Sequence, residues 1–190
     1  MSFRLLPCVF GLGALLLAGC SSSGSFGDAP ASVLDRDVEL PRAVEARNFT
    51  ILAPGVAGAG QPDLATIESL PTKGYRTLIN LRTSGERYPA EEAETAEAAG
   101  LHYVEIPVSS RTFGLLQAKQ LEEALEGAPE GAVFIHCGSG NRVGALWGLY
   151  RGLVEGLAPS EAVAAGYRAG MRSSSLAAGI DHSLSEALSQ

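Results

Sequence analysis

Apolar positions along the chain fall into short dense runs that alternate with longer stretches of helical spacing. Thr50-Ile51-Leu52-Ala53 reads as a short strand, followed by a Gly-rich turn up to Gln61-Pro62-Asp63. Leu64, Ile67 and Leu70 then recur at helical spacing, so a helix is predicted from about Asp63 to Leu70, with Gly74 closing the unit. Arg76–Arg82 is a strand with apolar residues dense enough for burial on both faces. Thr83–Tyr88 is a loop, Pro89–Ala99 an Ala/Glu-rich helix stopped by Gly100, and His102–Val108 the next strand. Phe113–Leu125 returns to helix, and Ala132–Cys137 is an apolar strand. Val143, Leu146, Trp147, Tyr150, Leu153, Val154 and Leu157 describe one face of an amphipathic helix, and Pro159–Gly170 is a last helix with proline in its first turn. The alternation predicts βαβ units, hence an α/β fold with a central, mainly parallel sheet flanked by helices.

Composition narrows this further. With 190 residues, 46% of them hydrophobic, the chain can bury the core of one domain. Its 14 Lys+Arg against 21 Asp+Glu give a formal charge of −7, which argues against a nucleic-acid partner, whose phosphates need a basic face. No internal run of about 20 apolar residues suggests a spanning helix. No His/Cys/Glu cluster has metal-ligand spacing, so no metal and no other cofactor is expected.

The N-terminus is read apart from the fold. Arg4 precedes an apolar run from Leu5 to Ala18, which ends in Leu17-Ala18-Gly19-Cys20. That is the layout of a secretory signal. The final four residues resemble the lipobox of bacterial lipoproteins, which implies cleavage before Cys20, lipidation of its thiol and anchoring to a bilayer. Residues 1–19 are thus read as a signal peptide, 20–47 as the lipidated Cys with a Ser/Gly/Ala/Pro-rich tether, and 48–190 as the domain; Val38–Val44 has the pattern to dock on it. Ser21 stands where lipoproteins kept at the inner membrane carry Asp, so the resemblance implies the outer membrane, facing the periplasm. Cys8 leaves with the signal and Cys20 is blocked, so Cys137 is the remaining thiol. A lone thiol in an oxidising compartment is either well buried or chemically employed.

Cys137 closes a strand and is followed by Gly138-Ser139-Gly140-Asn141-Arg142 and a helix. That order makes an anion site by geometry. The glycines let loop amides turn inward, the first helical amides are unpaired, and Arg142 can grip two oxygens at once. A thiolate beside a bound oxyanion is a nucleophile in attacking position.

His136-Cys137-Gly138-Ser139-Gly140-Asn141-Arg142 resembles the phosphate loop of cysteine-dependent tyrosine and dual-specificity phosphatases. Gly60-Gln61-Pro62, Gly74–Arg82 and Tyr103–Val108 look like the bacterial branch of that superfamily that includes domains fused to β-lactamase-like hydrolases. The resemblance implies a cysteine-phosphatase-like fold and hydrolysis of phosphate monoesters of a protein or small molecule, through a phosphocysteine. Cys137 is then the nucleophile, Arg142 the phosphate clamp, Gly138, Ser139, Gly140 and Asn141 the phosphate-binding backbone, and His136 a support for the loop.

Three features depart from that pattern. Four residues, not five, separate Cys137 from Arg142; Val143 replaces the usual Ser or Thr; and Ser109–Gly114 holds no carboxylate where the family carries its acid. Glu86, Asp63 or Asp181 could supply one, and spacing selects none of them. The short loop is also similar to that of rhodanese-type sulfurtransferases, which implies a Cys137 persulfide, and a non-catalytic module binding an anion or partner is the third reading. Plainer readings stand beside these. Cys137 alone could be a buried small hydrophobe. Arg82 and Arg111 read as surface charges, and the Glu91, Glu92, Glu94, Glu97 run as a solvated helix face.

Overall fold

The computed structural model describes residues 34, 39–87, 89–109 and 111–189. Residues 1–33, with the signal and Cys20, lie outside them. Five strands form one sheet: β1 (Thr50–Ala53), β2 (Val56–Ala59), β3 (Tyr75–Asn80), β4 (His102–Glu105) and β5 (Ala132–His136). Their order is β1-β2-β5-β3-β4. Only β1 runs antiparallel, against β2; the other pairings are parallel. The helices are α1 (Leu64–Ser69), α2 (Glu92–Ala98), α3 (Leu115–Glu126), α4 (Asn141–Val154), α5 (Pro159–Arg168) and α6 (Ser174–Leu188). A 3-10 turn over Leu70–Lys73 follows α1 and closes on Gly74, whose φ of 91° suits glycine.

Strand alternation separates two apolar layers. Val133 and Ile135 of β5 pack with α3, α4, α5 and α6, while Ala132 and Phe134 pack with Ile67, Leu70 and Ala96 on the α1–α2 side. β5, buried on both faces at the middle of the sheet, delivers Cys137 at its carboxyl end, where open α/β sheets place their ligands.

Two elements differ from the sequence reading. Val56–Ala59, read as a Gly-rich turn, is a strand paired to β5 from Val56↔Val133 to Ala59↔His136. Its glycine reflects packing: a Cβ at Gly58 would stand 2.4 Å from Val143 Cγ1 at the start of α4. Beyond Gly170, where no element was expected, α6 folds on an N-cap from Ser173 and buries Ala177, Ile180 and Leu184. The stretch before β1 is docked: Val44 is buried, the Tyr75 hydroxyl donates to Arg42 O at 2.8 Å and Lys73 Nζ to Ala43 O at 3.1 Å. Residues 42–44 are therefore part of the domain rather than of a free tether.

Candidate active site

The loop after β5 is held in shape from outside. Its Gly138 carbonyl accepts from Gln61 N at 3.5 Å, and its Ser139 carbonyl from Asn48 Nδ2 at 2.8 Å. A trans peptide sets the next N–H opposite its carbonyl, so carbonyls pinned outward turn the amides of Ser139 and Gly140 to the other side. The Gly140 amide donates to Cys137 Sγ at 3.1 Å. Gly140, at φ 88°, then enters α4. Asn141, the first residue of α4, ties Ser139 Oγ (3.3 Å) to the backbone N–H of Arg172 (2.6 Å). Asn48 itself has φ 56°, a left-handed conformation that asparagine tolerates, and no sequence signal marked it as a clamp on the loop.

Arg142 lies over this loop. Its two terminal nitrogens hold the Glu86 carboxylate in a fork, at 2.5 and 2.6 Å, and one of them also donates to the Val108 carbonyl at 3.0 Å. A Cβ on Gly138 would stand 3.6 Å from Arg142 Nη2 and 3.8 Å from Glu86 Oε2, so the ion pair roofs the loop. Hydrogen bonding to Glu86 raises the affinity of Arg142 for its proton, and the sulfur of Cys137 adds to this. Glu86 in turn is pushed down to about 2, chiefly by Arg142; burial opposes the shift, and the Thr83 amide at 2.9 Å assists it. The Cys137 side chain beneath is fully buried.

Of the three carboxylates named from the sequence, the structure brings only Glu86 to Arg142. Asp63 is occupied as the N-cap of α1, accepting from Thr66 N at 2.7 Å, and Asp181 is exposed on α6. His136 turns to the α2 side of the sheet, its Nε2 3.1 Å from Glu92 Oε1. Its contact is with Glu92, and it adjoins Cys137 only through the strand end that carries both.

Two plain readings are corrected. Glu92 is not on a solvated face: it is buried and accepts from Gln61 Nε2 at 2.5 Å and the Tyr103 hydroxyl at 3.1 Å. Burial pushes its pKa up, but the bonds from His136, Gln61 and Tyr103 prevail and hold it below the ordinary value. Its position four residues before buried Ala96, on the same side of α2, was the available signal. Arg82 is buried as well, donating to Gln61 Oε1 and the Arg87 carbonyl, with its Nε 3.7 Å from Glu86. A polar chain thus runs from His136 through Glu92, Gln61 and Arg82 to Glu86 and Arg142. Arg111 is exposed. Among the described residues no group of three or more His, Cys, Asp or Glu could hold a metal ion.

A family model described as the phosphatase-like domain of β-lactamase hydrolase-like protein matches residues 48–154, a span that includes β1 to α4 and the whole loop. The chain belongs to this phosphatase-like family. β-Lactamase hydrolase-like proteins of Agrobacterium fabrum (37% identity over 94 residues) and Xylella fastidiosa (36% over 98) match 47% and 50% of this chain. The matches span only 21% and 22% of those relatives' own length. Among solved structures, a DUF442 protein of Shewanella putrefaciens CN-32 superposes with a TM-score of 0.60 at 19% identity, over 75% of this chain and 94% of its own. P. aeruginosa TpbA, solved in complex with pTyr, gives 0.57 at 18%, over 82% and 99%. At that identity the two structures establish a shared fold, that of PTP-like phosphatases.

Proposed function

We propose that the protein hydrolyses phosphate monoesters, with Cys137 as nucleophile and Arg142 as the clamp on the phosphoryl oxygens. The observation that carries this reading is Cys137 Sγ at the end of β5, accepting the Gly140 amide under a guanidinium that already grips two carboxylate oxygens. That fork fits two oxygens of a phosphoryl group equally well. A sulfur attacking from below meets the phosphorus while the Ser139 amide and α4's N-terminus face its oxygens. The reading is supported by TpbA, which shares the fold and was solved in complex with pTyr. Because Cys137 is buried, the Arg142–Glu86 roof must part before substrate reaches it.

The full chain incubated with p-nitrophenyl phosphate should release p-nitrophenol, and an acid-quenched sample should carry a phosphoryl group on Cys137 by mass spectrometry. The four-residue spacing keeps sulfur transfer as the competing reading. Thiosulfate-to-cyanide transfer with a persulfide on Cys137, and no phosphoryl adduct, would replace the proposal with it. Inorganic phosphate bound without either chemistry would leave an anion-binding module.

The same chain is proposed to be anchored by lipid on Cys20 to the outer membrane, its domain in the periplasm. Wild type should fractionate with outer membranes and Cys20→Ala should become soluble in the periplasm; membrane association surviving that change would refute the anchor.

A further inference from the structure

Arg142 already has an anion. Glu86 holds both terminal nitrogens of its guanidinium, and the pair covers the loop above Cys137. A phosphoryl group can use that fork only by taking the carboxylate's place, because each nitrogen is engaged at 2.5 or 2.6 Å. The displaced carboxylate stays tethered close by, since Glu86 Oε1 also accepts from the Thr83 amide (2.9 Å) and hydroxyl (3.1 Å). The segment where the family keeps its proton donor, Ser109–Gly114, has no carboxylate.

We propose that Glu86 is the proton donor of this site, freed for that task when a phosphoryl group displaces it from Arg142. The proposal rests on the phosphatase reading above. The groups facing Glu86 are Arg142 from α4 and Arg82 and Thr83 from the segment after β3. Losing Arg142 to a doubly charged guest removes the chief partner that keeps Glu86 ionised and sets negative charge beside it, so the carboxyl takes up a proton from solvent. The thiolate form of Cys137 then bonds to phosphorus with its own electron pair while the bond from phosphorus to the leaving oxygen breaks. The electron pair goes to that oxygen, which receives the proton of Glu86. Water next attacks phosphorus, giving a proton back to Glu86; the sulfur–phosphorus bond breaks with its pair returning to sulfur, and inorganic phosphate departs. Glu86 then loses its proton and returns to Arg142.

The test compares the full-length wild type with Glu86→Gln and Glu86→Asp. Titration with inorganic phosphate should show about 10-fold tighter binding in Glu86→Gln, since the competing ion pair is gone. The ratio of hydrolysis rates, 2,4-dinitrophenyl over phenyl phosphate, should rise about 10²-fold, because only the poor leaving group needs the proton. Glu86→Asp should recover part of the phenyl phosphate rate. Equal loss on both esters would show that Glu86 merely orients Arg142, and unchanged phosphate affinity would show that the arginine is not contested; either overturns the proposal. A wild type that hydrolyses neither ester would instead overturn the phosphatase reading itself.

Discussion

Cys137→Ser is expected to lower p-nitrophenyl phosphate hydrolysis about 10⁴-fold or more, while the protein still binds inorganic phosphate. Serine differs little from cysteine in size, so the loop and the Arg142–Glu86 roof should stay in place. A hydroxyl, however, is a far weaker acid than a thiol and needs a base beside it to attack phosphorus. The groups that meet Cys137 Sγ are the Gly140 amide and the Arg142 guanidinium, both donors and neither a base. The nearest imidazole in sequence, His136, is turned to Glu92 across the sheet. Arg142→Lys makes the companion measurement. It keeps the charge but loses the fork, so kcat/KM should fall about 10²–10³-fold. Hydrolysis surviving Cys137→Ser at a tenth of the wild-type rate would remove sulfur from the mechanism.

What the sequence disclosed was local in the chain. Strand, thiol, loop and helix are consecutive between Ala132 and Val154, so periodicity and two glycines sufficed to predict the site's frame. The parallel sheet was equally open to that reading, since β3 and β5 each carry a dense apolar run and helical stretches alternate with the strands. What stayed hidden depended on packing between distant segments. β2 looks like a turn because Ala57, Gly58 and Ala59 are small, and at Gly58 the reason is α4, whose Val143 crosses there. The pairing of Glu86 with Arg142 joins residues 56 apart, and the Asn48 clamp on Ser139 joins residues 91 apart. No spacing rule selects such partners. Glu92 was misplaced for a related reason. A run of four glutamates suggests water, but the roll of α2 about its axis, set by Ala96 against the core, takes one of them inside.

Gly148→Ala is expected to destabilise the fold by about 2 kcal/mol or more, although the same change inside an exposed helix gains about 1 kcal/mol. The reversal follows from how closely α4 and α5 approach. A Cβ at Gly148 would stand 2.5 Å from the Ala162 carbonyl oxygen and 2.9 Å from Gly166 N. One turn earlier, a Cβ at Gly144 would stand 2.4 Å from Met171 N and 2.7 Å from the Gly166 carbonyl oxygen. These obstacles are backbone, which cannot rotate aside, so the helices must separate and give up buried contacts along their length. Gly152 supplies the control within the same helix. Its closest obstacle, at 2.4 Å, is Leu184 Cδ1, the end of a flexible side chain, so Gly152→Ala should cost less than Gly148→Ala. In thermal melts followed by circular dichroism, Gly148→Ala should lower Tm by roughly 5 °C or more. An unchanged or raised Tm would mean that the helices yield easily there. The activity should fall alongside, because α4 begins with Asn141 and Arg142. Pushing its body away from α5 tilts the end that holds the guanidinium over Cys137, and small shifts of a clamp cost large factors in rate.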